Sequence, residues 1–168
     1  MVMRKDVVAG ALFAALVTVA AAASGGSEDR LKRGEYLATI MDCTGCHTPG
    51  ALVGQPDKAR ELSGSEVGFK IPGAGIFYPP NLTSDPETGI GHWSEADIVK
   101  AVRTGVRPDG RVLVPIMPYH SYARLTDGDA HALAAYLKSV PPVNHAVPKI
   151  TGDGERPTAA YLAIVAPK

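Results

Sequence analysis

The sequence predicts an all-α domain whose helices are joined by long Gly/Pro-rich loops, and three observations carry that prediction. Apolar residues recur at three- and four-residue spacing around residues 29–41, 94–104 and 127–140. Residues 48–92 hold too much Gly and Pro for any long helix. The chain has 168 residues, room for one domain built around a single core.

Before the domain comes a leader. Arg4 and Lys5 precede a nearly unbroken apolar run from Val7 to Ala20, and Ala21-Ala22-Ala23 supplies the small residues of an A-x-A cleavage site, so residues 1–23 read as a secretory signal peptide. An uncleaved membrane anchor is the competing reading, although the run is at the short edge of the ~20 residues needed to span a bilayer. Export implies a periplasmic protein with no membrane span after cleavage. Residues 24–28, Ser-Gly-Gly-Ser-Glu, read as a flexible lead-in. Basic and acidic residues number 17 each, so no basic excess points to nucleic acid.

The domain itself is expected over residues 29–142. Leu31, Leu37, Ile40 and Met41 form the apolar stripe of a first helix, with Lys32, Arg33 and Glu35 between them. The loop region then includes Pro72-Gly73 and Pro79-Pro80, and admits a small hairpin using Phe69, Ile71, Ile76, Phe77 and Tyr78. A loop this long inside a compact domain needs something to wrap around. Ser94 with Asp97 forms a capping box, Ile98, Val99, Ala101 and Val102 give the buried stripe, and Gly105 stops the middle helix. Arg107-Pro108-Asp109-Gly110 is a turn. Thr126 with Asp129 opens the last helix, whose apolar positions are Ala130, Leu133, Ala134, Leu137 and Val140, and Pro141-Pro142 ends it. Residues 143–168 form a C-terminal extension. Its apolar segment Ala159 to Ala166 is too short to cross a membrane and is expected to pack on the domain as a strap.

Chemistry concentrates at Cys43-Thr44-Gly45-Cys46-His47, a C-x-x-C-H sequence that is the attachment motif of c-type haem. Two thiols at this spacing can bond covalently to neighbouring substituents on one edge of a porphyrin, and the adjacent imidazole can then ligate the iron. A structural disulfide and a thiol redox pair are the alternatives. A thioredoxin-like site would want strands around its helix, and the sequence offers almost none.

The sixth iron position separates an electron carrier from a ligand-binding catalyst. Met117, in Val114-Pro115-Ile116-Met117-Pro118-Tyr119, is the favoured ligand, because flanking prolines would hold its loop stiff against the far haem face. His120 is the competitor, and a His/His pair would lower the potential relative to His/Met. His92, His131 and His145 read as bystanders. Asn81, Trp93 and Arg103 are candidate donors to the haem propionates. Their structural alternatives are an Asx-type turn in Asn81-Leu82-Thr83, a packed aromatic, and a solvated helix charge.

Taken together these segments resemble class I c-type cytochromes. More narrowly, residues 80–94 and 102–111 and the triplet Met117-Pro118-Tyr119 resemble cytochrome c domains of quinoprotein alcohol, gluconate and aldehyde dehydrogenase cytochrome subunits, over about residues 29–142. The resemblance implies the cytochrome c-like fold, helices around one covalently bound haem c. It implies iron ligation by His47 and Met117. It also implies a first helix that crosses the last, with Gly34, Tyr36, Leu133 and Tyr136 at the contact. The function implied is single-electron shuttling, not enzymatic catalysis, between a dehydrogenase donor and a cytochrome or oxidase acceptor. A haem protein with an open or labile sixth site, a ligand sensor or peroxidase-like catalyst, is the alternative. The dehydrogenase subunits typically string several haem domains together, whereas this chain has one C-x-x-C-H.

Overall fold

A computed structural model of the chain describes residues 26–167. The signal peptide expected at residues 1–23, and Ser24 and Gly25, lie outside the described residues. Helix α1 runs through residues 26–40. Residues 26–28, expected as part of a flexible lead-in, are therefore already helical, and Glu28 pairs with Lys32 at 2.6 Å one turn on, the orientation that supports a helix.

After α1 the chain reverses through Asp42, which takes a left-handed conformation at φ 56°, and enters the short helix α2, Cys43–His47. Single 3₁₀ turns at Ala51–Val53 and Lys58–Arg60 follow. Strands β1, Gly68–Ile71, and β2, Gly75–Phe77, form the expected hairpin, with Phe69 opposite Phe77 and Ile71 opposite Gly75. Strand β3, Tyr161–Leu162, adds parallel to β1, giving the order β2-β1-β3. The all-α expectation is thus corrected by a small three-stranded sheet. Its third strand is two residues long and comes from the far end of the chain, so local periodicity carries no trace of it.

Helix α3, Glu95–Thr104, has both bonds of its capping box, and Gly105 closes it at φ 73°. A one-turn helix α4, Tyr119–Tyr122, lies in the loop after Met117. Helix α5, Asp127–Ser139, starts at Thr126, whose hydroxyl accepts from the Asp129 amide. Leu37 and Ala38 of α1, Ile98 and Val102 of α3, and Leu133, Ala134 and Leu137 of α5 share one core with Leu62 and Ile90 from the loops.

Helices α1 and α5 meet at Gly34. A Cβ built there would lie 2.1 Å from the Ala132 carbonyl oxygen and 2.6 Å from Tyr136 Cβ. Tyr36 does not join this contact, contrary to expectation. It is 53% exposed beneath the Arg33 guanidinium, 5.3 Å from the ring centre, because residues two apart on a helix face different ways.

The extension is fastened in two places. Thr151 exchanges backbone hydrogen bonds with Ile76, and the Gly68 amide donates to Ala160. Beyond β3 the apolar side chains stand clear, Ile164 at 100% and Val165 at 85% exposure. The close packing expected of Ala159 to Ala166 is replaced by backbone pairing at a sheet edge, and the part of the tail that packs is residues 143–151. No helix among the described residues is long and apolar enough to cross a membrane.

Candidate cofactor pocket

The Gly/Pro-rich loop region, the loop between α3 and α4, and helices α2, α3 and α5 enclose a largely apolar cavity of ≈ 430 Å³, within the size range of cofactor sites. Cys43, Cys46 and His47 line it from α2, and Met117 lines it from the loop before α4. Residues 70 positions apart in sequence thus share one chamber.

His47 is 8% exposed, and its Nδ1 lies 2.7 Å from the Pro80 carbonyl oxygen. A carbonyl only accepts, so Nδ1 carries the proton and Nε2 keeps its lone pair, the state a metal-ligating imidazole requires. Burial pushes the His47 pKa down, with the Pro80 bond opposing, which favours the neutral ring. The cysteines are free thiols. Burial, reinforced by Asp42, pushes the Cys43 thiol up to about 11 and moves Cys46 in the same direction. An attacking thiol in a redox-active C-x-x-C is shifted toward thiolate, the opposite of the direction in which burial moves both of these. Tyr122 also lines the cavity, and its hydroxyl donates to the Met41 carbonyl at 2.8 Å, holding the approach to α2.

Met117 and His120 are separated by the geometry. His120 is exposed and its ring lies 4.2 Å from that of Tyr119, whereas Met117 is the one of the two that lines the cavity.

The three expected propionate donors divide differently. Trp93 lines the cavity. Asn81 does too, but its amide is used up within the fold. Nδ2 donates to Thr88 Oγ1 at 2.9 Å and to the Val143 carbonyl at 2.8 Å, while Oδ1 accepts from the Thr83 amide and hydroxyl. Asn81 is therefore a loop brace of the Asx type, with no donor left for a ligand. Arg103 does not line the cavity and donates to Asp127 at 2.6 Å. On α3 it faces the start of α5, where the acidic first turn attracts it.

Sequence reasoning placed Arg107 in a turn and missed its second role. Its guanidinium sits over the Trp93 ring, 5.1 Å from the centre, and lines the cavity. Nε is 3.3 Å from Asp109 Oδ2, close enough for ion pairing but not aligned for a hydrogen bond, and is buried with no hydrogen-bond partner among the described residues. Burial pushes the Arg107 pKa down, Arg111 acts the same way and Asp109 opposes. Beyond its pairing with Asp109, the guanidinium brings positive charge and an unused N–H to an apolar wall, where a further acceptor would be favoured. The chamber is thus lined by two thiols, an imidazole and a thioether, with a guanidinium at its wall. That set fits a covalently attached iron porphyrin with acidic side groups.

Comparison with known proteins agrees with this chemistry. The cytochrome c family profile matches residues 31–141. The cytochrome c subunit of a quinone-dependent alcohol dehydrogenase from Gluconobacter oxydans is 44% identical over 74% of this chain and 24% of its own length. The gluconate 2-dehydrogenase cytochrome c subunit of Pantoea cypripedii is 41% identical over 81% of this chain and 29% of its own. A diheme cytochrome c-type protein of Cereibacter sphaeroides is 34% identical over 72% of this chain and 40% of its own. The chain spans between a quarter and two fifths of these relatives. With the profile covering most of the domain and the C-x-x-C-H thiols and imidazole gathered at one cavity, the chain belongs to the cytochrome c family.

Proposed function

We propose that this protein is an exported, mono-haem c-type cytochrome that carries single electrons in the periplasm between a dehydrogenase and a downstream cytochrome or oxidase. The observation that carries this reading is that Cys43, Cys46, His47 and Met117 line one apolar cavity. Haem bound there supplies an iron that changes by one electron between its ferric and ferrous states.

The chain's own residues do the rest. Cys43 and Cys46 tether the porphyrin edge. His47 offers Nε2 to the iron while Pro80 holds its other nitrogen. Met117, on the same cavity, would offer a soft thioether, which favours the reduced state. Arg107 and Trp93, which line the cavity, would supply donors to the acidic side groups. The apolar wall would keep water from the iron, and ligation by both His47 and Met117 would leave a substrate no place on it.

The single C-x-x-C-H in a chain with two cysteines supports one haem. The leader pattern of residues 1–23 supports export. The names of the relatives, cytochrome subunits of alcohol and gluconate dehydrogenases, support a dehydrogenase as donor. Mass spectrometry of protein purified from the periplasm should find one covalent haem with both thiols blocked, and a reductive titration should take up one electron per chain. Protein lacking the haem mass, or carrying reactive thiols, overturns the reading.

A further inference from the structure

The family match ends at residue 141, yet the chain that follows reaches back to the cavity. Val147, Pro148 and Ile150 form part of its wall. The same segment grips both anchors of His47. On one side, the Val143 carbonyl accepts one N–H of Asn81 at 2.8 Å, and the Val143 amide donates to Thr83 Oγ1 at 3.2 Å. Asn81 directly follows Pro80, whose carbonyl oxygen holds the His47 Nδ1–H. On the other side, the Gly64 amide donates to the His47 carbonyl at 2.7 Å. Gly64 is at φ 98°, and Val147 packs so tightly on it that an added Cβ would lie 2.4 Å from Val147 Cγ1. Next to it, His145 Nδ1 lies 2.8 Å from the Ser63 carbonyl oxygen, so that the ring can donate there.

We propose that residues 143–151 are a positioning strap for His47, which fixes the ring's orientation through Asn81 and Gly64, seals the adjoining cavity wall against water, and so sets the redox potential. This inference rests on the haem reading above. The physical cause is the shell around the ligand. A carbonyl partner fixes a ligating imidazole, and an apolar wall disfavours the more highly charged ferric site. Of the two segments that hydrogen-bond His47, the strap grips one at Asn81 through Val143 and the other at Gly64 through Val147.

The test uses the full-length holoprotein with Val147→Ser, which wets the wall while leaving the Asn81 and Pro80 bonds in place. The expected result is a ferric/ferrous equilibrium moved toward ferric by about tenfold, a fall of about 59 mV for one electron, with faster hydrogen exchange at the Gly64 amide. Val147→Ile should keep the wild-type potential. Should Val147→Ser not fold, Ile150→Ser, at the half-exposed lip of the cavity, makes the same prediction. A variant that melts earlier at an unchanged potential shows a strap that merely stabilises the fold, and overturns the proposal while leaving the haem reading intact. Wild-type protein without covalent haem overturns both.

Discussion

Gly34 of α1 lies against the carbonyl of Ala132 in α5, where a built Cβ would fall 2.1 Å from the carbonyl oxygen. The neighbour is helix backbone and cannot swing aside, so Gly34→Ala must push the two helices apart. Overpacking of this kind costs about 1–3 kcal/mol, and the rigid neighbour places this site at the upper end. Urea unfolding of the variant should show the loss as a lower midpoint, whereas Tyr36→Ala, on an exposed side chain, should change it little. Equal losses at the two positions would contradict the crossing.

Met117 lines the cavity while His120 points to solvent. Met117→Ala should therefore abolish the weak red absorption of Met-ligated ferric haem and let the reduced protein bind CO. His120→Ala should leave both properties as in the wild type. A spectrum that ignores Met117 and responds to His120 refutes the assignment.

Arg107 is a cation at an apolar wall with an unsatisfied Nε. Its positive charge favours the reduced site, so Arg107→Gln should lower the potential, moving the equilibrium toward ferric by a few-fold to about tenfold. Arg107→Lys, which keeps the charge, should restore most of the shift. Arg103→Gln should have no such effect, since Arg103 is engaged with Asp127.

Asp85 braces the loop before α3. The Thr88 amide and hydroxyl, each 2.7 Å from Oδ1, hold its pKa below the usual carboxylate value of 3.8. Because the folded value is depressed, the carboxylate contributes stability above about pH 4 that is lost as pH falls through the folded value. Asp85→Asn should thus unfold more readily than wild type at neutral pH, with the gap closing below about pH 4. A gap independent of pH would show that the charge is not what matters.

Some elements were legible because they depend on local chemistry. The caps at Ser94 and Thr126, the stop at Gly105 and the hairpin between Phe69 and Phe77 each follow from residues within a few positions of one another. The attachment motif is local as well. Asn81 was legible only in its structural alternative, the Asx turn, because whether its amide is free depends on Val143, 62 residues away. Arg107 looked like a turn residue because nothing in its neighbours along the chain announces that Trp93 and the cavity lie beneath it.

The C-x-x-C-H motif at Cys43, Cys46 and His47, and Met117 as the candidate partner across the cavity, were contained in the sequence alone. Thiol spacing and a Pro-flanked methionine are short-range patterns with few chemical uses. Tertiary structure alone decided which cation meets the cavity, that Tyr36 leaves the helix crossing, and that residues 147–150 return to the cavity wall. Those outcomes depend on burial and on hydrogen-bond partners drawn from distant parts of the chain, which periodicity and motif spacing do not encode.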